Sequence, residues 1–194
     1  MNFDVAFSIA NMSYANAYLL MKDAELLYAN ERYARAMFLC FIAEEELAKS
    51  VLSMAAAARI RIGEFDQVAE KEYNGRFSNH RLKSATIKVV IDHYFNHIPQ
   101  TELLIQVKNA RLHGEDRETV KQGSLYADFD TTSGEEGCRS PHLVCTLERA
   151  DWVMKFYRAL FEVANTNVKC ALDQVKNSDI EVCRQHLHGL KGVF

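Results

Sequence analysis

Proline and glycine are scarce: two prolines and eight glycines punctuate 194 residues. Sandwiches and barrels need far more turn residues than that, so the chain has room for long helices instead. Charge of one sign is lacking too. A net charge of -3 and a pI near 6.2 give no broad basic surface, so contact with RNA has to come from a local site. No apolar run reaches the roughly 18 residues of a membrane span; Arg32, Arg35 and the glutamates at 44–46 interrupt the longest one. The five cysteines, Cys40, Cys138, Cys145, Cys170 and Cys183, are odd in number and form no C-x-x-C pair, and no cleavable signal sequence precedes them. A reduced, cytoplasmic protein is expected, with no membrane partner. Gly-rich phosphate loops, nucleophile elbows and Cys–His pairs of catalytic spacing are missing as well.

What is present is a hydrophobic content of 48% in a length that suits one well-packed domain. We expect a single all-α domain over residues 1–194, with a core bundle from about 4 to 176 and a short C-terminal helix from about 178 to 189. The first helix spans about 4–29, with Phe7, Ala10, Tyr14, Ala17, Met21, Ala24 and Leu27 or Tyr28 on one stripe, and Asn2 or Asp4 as its cap. After a break near Asn30 a second helix runs from about 31 to 62, closed by Gly63. A short polar helix or turn over 64–74 leads through Gly75 to a third main helix, about 79–97, which Pro99 ends. A poorer helix begins at Leu103 and reaches Ala110 or Val120. Between 121 and 141 the character changes: residues 124–130 alternate like a strand and 131–137 form a polar turn, so a short hairpin or ordered loop is expected. A last long helix covers about 146–176, with Trp152, Phe156, Leu160, Val163 and Asn167 as its buried stripe. The aromatic residues there sit at helical spacing and read as core. Ser178 or Asp179 caps the final helix.

Three consecutive glutamates, Glu44, Glu45 and Glu46, stand inside the apolar second helix. Successive residues point about 100° apart, so no rotation of the helix exposes all three and still buries its apolar face. At least one carboxylate is therefore expected to be semi-buried, and it needs a partner, since an unpaired buried charge costs several kcal/mol on the order of the usual desolvation penalty. Lys49, Arg35 and basic residues of another helix are candidates. His80 and Lys83 share a face at i and i+3 and could be brought against the glutamates. Such a cluster can be a polar network that fixes helix register, or a proton-transfer or phosphate-contacting site; both readings stand.

Two metal sites are conceivable from the ligand types present. A carboxylate-bridged di-iron bundle requires Glu-x-x-His on two helices, and that pattern occurs nowhere in the chain. Cys138, His142 and Cys145, with Cys183, His186 and His188, could supply zinc ligands, but their spacing is not that of a finger and Pro141 intervenes. Buried cysteines and an exposed histidine tail explain the pattern more simply. No metal and no cofactor is expected.

Four segments together resemble the AbiV-type abortive infection proteins, within the broader HEPN-like helical class. Residues 31–36, Glu-Arg-Tyr-Ala-Arg-Ala, are similar to the family's G-R-Y-x-R-A, and 42–49, Ile-Ala-Glu-Glu-Glu-Leu-Ala-Lys, to its L-A-x-E-E-I-G-K. His80-Arg81-Leu82-Lys83 resembles its H-K-x-K helix start. Arg117, the stretch 124–129 and Ser140-Pro141 resemble its R-x-x-x-L-Y-V-D segment, polar turn and following proline. The order and spacing match over about residues 14–165. The resemblance implies a HEPN-like helical bundle, dimeric, that stops phage multiplication in an infected bacterium by arresting translation or damaging RNA after a phage-encoded activator appears. RNA or a ribosome-associated component is the implied target.

By the same match Glu45, Glu46, Lys49, His80, Lys83, Arg117, Tyr126 and Asp128 are expected to form one polar site. His80 is the acid/base candidate; Lys49, Lys83 and Arg117 would contact phosphate or carboxylate; the glutamates would orient these cations. One departure bears on activity. Catalytic HEPN ribonucleases carry an arginine, four to six residues and then a histidine. The nearest spacings here, Arg76 to His80 and Arg184 to His188, leave three residues between. A binding block on translation is the leading expectation, with a metal-independent endoribonuclease and a non-catalytic helical adaptor as alternatives. A homodimer is also expected from apolar area on the first helix and at Ala55–Ala58.

Overall fold

The computed structural model describes residues 1–79, 82, 83, 85–87, 89, 121, 124, 128–130, 137–139, 141, 145–177 and 180–189, the side chains of 128–130, 137–139, 186 and 189 excepted. Helix α1 spans Phe3–Ala29, α2 Tyr33–Arg61 and α3 Gln67–Ser78; strands β1, Asp128–Asp130, and β2, Gly137–Arg139, follow, and then α4, Leu147–Asn177, and α5, Ile180–Gly189. The fold is all-α, and the strands form one short antiparallel hairpin in which Phe129 faces Cys138. It falls inside the segment where a hairpin or ordered loop was expected. The outer part of the 79–97 helix, the 103–120 helix, the 131–136 turn and the Ser178/Asp179 cap lie outside the described residues.

Local chemistry sets most of the helix limits. Asn2 Oδ1 accepts from the Val5 N–H at 2.9 Å, which satisfies an otherwise orphaned donor of the first turn. Asp66 does the same for α3 through the Ala69 N–H, also at 2.9 Å. Both α1 and α2 end in a residue with positive φ, Glu31 at 59° and Gly63 at 77°. Helix α2 starts at Tyr33 and not at 31, because Glu31 is taken up in closing α1.

Helix α2 is the hub. It pairs with α1 as a helical hairpin over the three-residue connection 30–32 and also packs on α3, α4 and α5. Its surroundings leave it buried nearly all round toward its C-terminal half, Ala55, Ala56, Ala57 and Ala58 included. Those alanines therefore offer no surface to a second copy, contrary to the sequence expectation; their small size is used for close approach inside the protomer. The face that α1 turns inward is small too: Ala6, Ala10, Ser13, Ala17, Met21 and Ala24. Bulk comes from Phe41, Met37, Leu47, Leu52, Met54, Ile87 and Met154, all fully buried in one contiguous cluster. Each contributes on the order of 1.5–3 kcal/mol by leaving water.

Two further expectations are corrected. Helix α3 runs straight through Gly75, which is exposed and meets nothing where a Cβ would stand, so the glycine lowers helix propensity without breaking the helix. The buried row of α4 is rotated from the one expected: Val153, Tyr157, Leu160, Ala164, Val168 and Val175 face the core. Trp152 and Phe156 are half-buried and stack on each other at the edge, ring centres 5.9 Å apart.

Candidate functional site

Rotation along α2 sends the three glutamates into three environments. Glu44 and Glu45 are buried and Glu46 is partly exposed. Glu44 lies in the row of Phe41, which faces α4. Tyr157 of α4 packs edge-on against Phe41 at 5.8 Å, and its hydroxyl donates to Glu44 Oε2. One turn of aromatic packing thus delivers a phenol to a buried carboxylate, a charge-assisted hydrogen bond that offsets part of the desolvation cost.

Glu45 meets two ammonium groups. Lys121 Nζ donates to Oε1 at 2.6 Å and Lys83 Nζ stands 3.5 Å from Oε2, with all three side chains buried. Lys83 is presented by a helical segment whose start Asn79 caps: its Oδ1 accepts from the Leu82 N–H at 3.3 Å, and its carbonyl from the Lys83 N–H at 3.0 Å. Ile87 of the same segment anchors it in the core. Lys121 is followed by Ser124, whose hydroxyl donates to the Lys121 carbonyl at 2.7 Å. Formally Glu44, Glu45, Lys83 and Lys121 sum to zero charge, which is how four ionisable groups can share an interior.

Glu46 pairs with Lys49 one turn on. The Lys49 ammonium also lies 5.7 Å from the ring centre of Phe77 on α3, a cation–π contact at the edge of the cluster. Further along α2, Ser53 Oγ and Tyr73 hydroxyl are 2.9 Å apart. Burial raises the Tyr73 phenol above its ordinary range, against the lowering effect of the Ser53 hydrogen bond. Ser50, between these pairs, is fully buried and its hydroxyl has no hydrogen-bond partner among the described residues.

The fold brings together Glu45 with Lys83, and Glu46 with Lys49, as the glutamate–cation pairing expected. Asp128 lies in β1, its side chain outside the described set; His80, Arg117 and Tyr126 also fall outside the described residues. Arg35, considered as a partner for the glutamates, is exposed. Two central residues were missed by sequence reasoning. Lys121 had no local signal beyond standing ahead of the alternating stretch, and Tyr157 was hidden among the aromatic residues read as core.

Of the two Cys/His groups, Cys145 and Cys183 are buried and His188 is exposed. Among the described residues no three His, Cys, Asp or Glu side chains converge as a metal site requires. Cys40 is a fully buried thiol: burial pushes its pKa up to about 12, with the Met154 sulfur 3.5 Å away. It is a packing residue and not a nucleophile. Among the described residues no helix is long and apolar enough to cross a membrane.

In sequence, the pattern of the HEPN-type AbiV family matches residues 5–183, nearly the whole chain and all the elements just described up to α5. Neither a curated protein nor a solved structure matches it.

Proposed function

The chain belongs to the AbiV family of HEPN-type proteins, and we propose on that premise that it is an abortive-infection effector acting in the cytoplasm, which arrests translation by binding RNA or the translation machinery after a phage-encoded protein triggers it. Membership of this family suggests antiphage defence by abortive infection; translation arrest is our reading of how. The family match over residues 5–183 carries it.

Binding is favoured over cleavage by the chemistry of the described cluster. Glu44 and Glu45 are occupied by Tyr157, Lys121 and Lys83, so these carboxylates act as anchors that hold cations in place and not as open general bases. The sequence also lacks the Arg-x(4–6)-His spacing of catalytic relatives. Lys49, 26% exposed beside Glu46 and Phe77, is the described cation of the cluster best placed to meet a ligand. The endoribonuclease alternative assigns acid/base work to His80, with Lys83, Arg117, Tyr126 and Asp128 around the substrate. Under the adaptor alternative the buried ion network serves the bundle alone.

The test is a phage panel on cells expressing the wild-type chain, Lys49→Gln or His80→Ala, with pulse-labelled protein synthesis and RNA integrity followed after infection. Protection with synthesis halted and RNA intact is the expected result, reduced in Lys49→Gln. RNA cleaved in wild type but whole in His80→Ala would replace this reading with the endoribonuclease. Absence of protection against every phage would remove the defence role.

A further inference from the structure

We propose that Glu45 is the centre of a two-cation switch, in which Lys83 stands in reserve so that Lys121 can detach into solvent while the buried carboxylate keeps a counter-charge. The switch does not depend on the translation-arrest reading.

The two lysines do not hold Glu45 equally. Lys121 Nζ lies 2.6 Å from Oε1, a strong charge-assisted hydrogen bond, whereas Lys83 Nζ lies 3.5 Å from Oε2, an ion pair too long to be one. An ammonium carries three donors, and among the described residues Lys83 makes no short bond with any of them. Both side chains are nevertheless buried. Two ammonium groups on one carboxylate repel each other, and that repulsion offsets part of what each gains from the shared anion. Detaching the first cation therefore costs less than detaching the second. The pair left behind is neutral, and Lys83 has less than about 1 Å to move to reach bonding distance.

Lys121 is the cation that leaves, because the two are anchored differently. Lys83 stands on a capped helical segment in which the Thr86 hydroxyl donates to the Leu82 carbonyl at 3.0 Å, Ile87 is fully buried and Val89 packs on the core. Beside Lys121 the next described residue is Ser124, buried and polar, whose hydroxyl donates to the carbonyl of Lys121 itself. Detachment of the Lys121 ammonium thus exchanges a hydrogen bond to Glu45 for hydrogen bonds to water, with no apolar anchor among the described residues beside it to pull free. Its flexible four-carbon stem lets the charge swing outward without any movement of α2. Glu44, the neighbouring carboxylate, faces α4 and stays with Tyr157 throughout. The result is two arrangements of one cluster: Lys121 bound with Lys83 loose, or Lys83 bound with Lys121 in water and open to an anionic group.

Acetylation of the full chain by limiting N-hydroxysuccinimidyl acetate, followed lysine by lysine by mass spectrometry, reads detachment directly, with exposed Lys155 as the internal reference. In the wild type Lys121 should react more slowly than Lys155 and faster than Lys83. Lys83→Met removes the reserve cation, so Lys121 becomes the second cation to leave and should react about tenfold more slowly. A clasp in which the two lysines support each other predicts the reverse. Lys121→Met should leave Lys83 no more reactive than before, and Glu45→Gln should speed both. If Glu45→Gln loses its circular dichroism, Lys83→Met carries the test alone, since it retains a neutral Glu45–Lys121 pair; Lys83→Gln repeats the comparison with a polar side chain. Lys121 reacting as fast or faster in folded Lys83→Met and Lys83→Gln, or Lys83 reacting before Lys121 in the wild type, would overturn the proposal.

Discussion

Helices α1 and α2 end in the same hydrogen-bonded turn with different residues at its critical position. In α1 the Arg32 N–H donates to the Leu27 carbonyl at 2.9 Å and the Glu31 N–H to the Tyr28 carbonyl at 3.0 Å; in α2 the Glu64 N–H donates to Arg59 at 2.8 Å and the Gly63 N–H to Ile60 at 3.2 Å. This is the Schellman arrangement, which requires a left-handed residue and favours glycine there. Glu31, at φ 59°, bears a side chain where Gly63, at 77°, bears none. A left-handed conformation costs a residue with a Cβ about 1–2 kcal/mol. Glycine gives back about 0.4–1 of that through its freer unfolded chain. Nothing lies within 4 Å of a Cβ placed on Gly63, so Gly63→Ala isolates the backbone effect and should cost about 0.5–1 kcal/mol. Glu31 is exposed and forms no ion pair among the described residues, so Glu31→Gly should stabilise by a similar amount. At roughly 2–4 °C per kcal/mol for a chain of this size, thermal melts should move by about 1–4 °C in opposite directions. Shifts of the same sign, or a neutral Gly63→Ala, would refute the reasoning.

Ser50→Ala should raise stability by about 1 kcal/mol in urea titration, because it deletes a buried hydroxyl with no partner among the described residues and improves helix propensity; destabilisation would show that the hydroxyl has a partner. Glu45→Gln should cost about 3–5 kcal/mol by stranding two buried ammonium groups, and the triple replacement Glu45→Leu, Lys83→Met, Lys121→Met should recover most of that loss in the same assay. Tyr157→Phe, which leaves Glu44 without its phenol donor, should cost about 1.5–3 kcal/mol. With its pKa pushed up to about 12, Cys40 stays a thiol through pH 9, so a thiol reagent at pH 8 should label exposed Cys170 promptly and Cys40 only after denaturation.

Much of the bundle was legible in the sequence because local rules set it. The Asn2 cap, the Gly63 stop and the 3.6-residue rows of α1 and α2 are properties of neighbours in the chain. The buried placement of the glutamates followed from the same geometry, since three adjacent residues cannot share one face. Their partners did not follow. Lys121 and Tyr157 lie 76 and 113 residues from the carboxylates they reach, and nothing local marks either. The stripe of α4 was misplaced because large aromatic residues dominate any reading of periodicity. Trp152 and Phe156 satisfy each other by stacking, which frees the smaller row with Val153 and Ala164 to face the core. Gly75 misled for the opposite reason: on an exposed helix face, glycine is tolerated.

The long reach of those two contacts also fixes an order of events on the ribosome. Helix α2 emerges with Glu44 and Glu45 committed to the interior, yet the phenol that Glu44 needs is made 113 residues later, on the order of ten seconds at ordinary elongation rates. Until Tyr157 and Lys121 have been synthesised, closing the bundle would bury these carboxylates without two of the contacts that hold them. A chain cut short by a nonsense codon before Tyr157 lacks that closing contact. The polar contacts of the interior thus become complete only when the chain has been made nearly to its end.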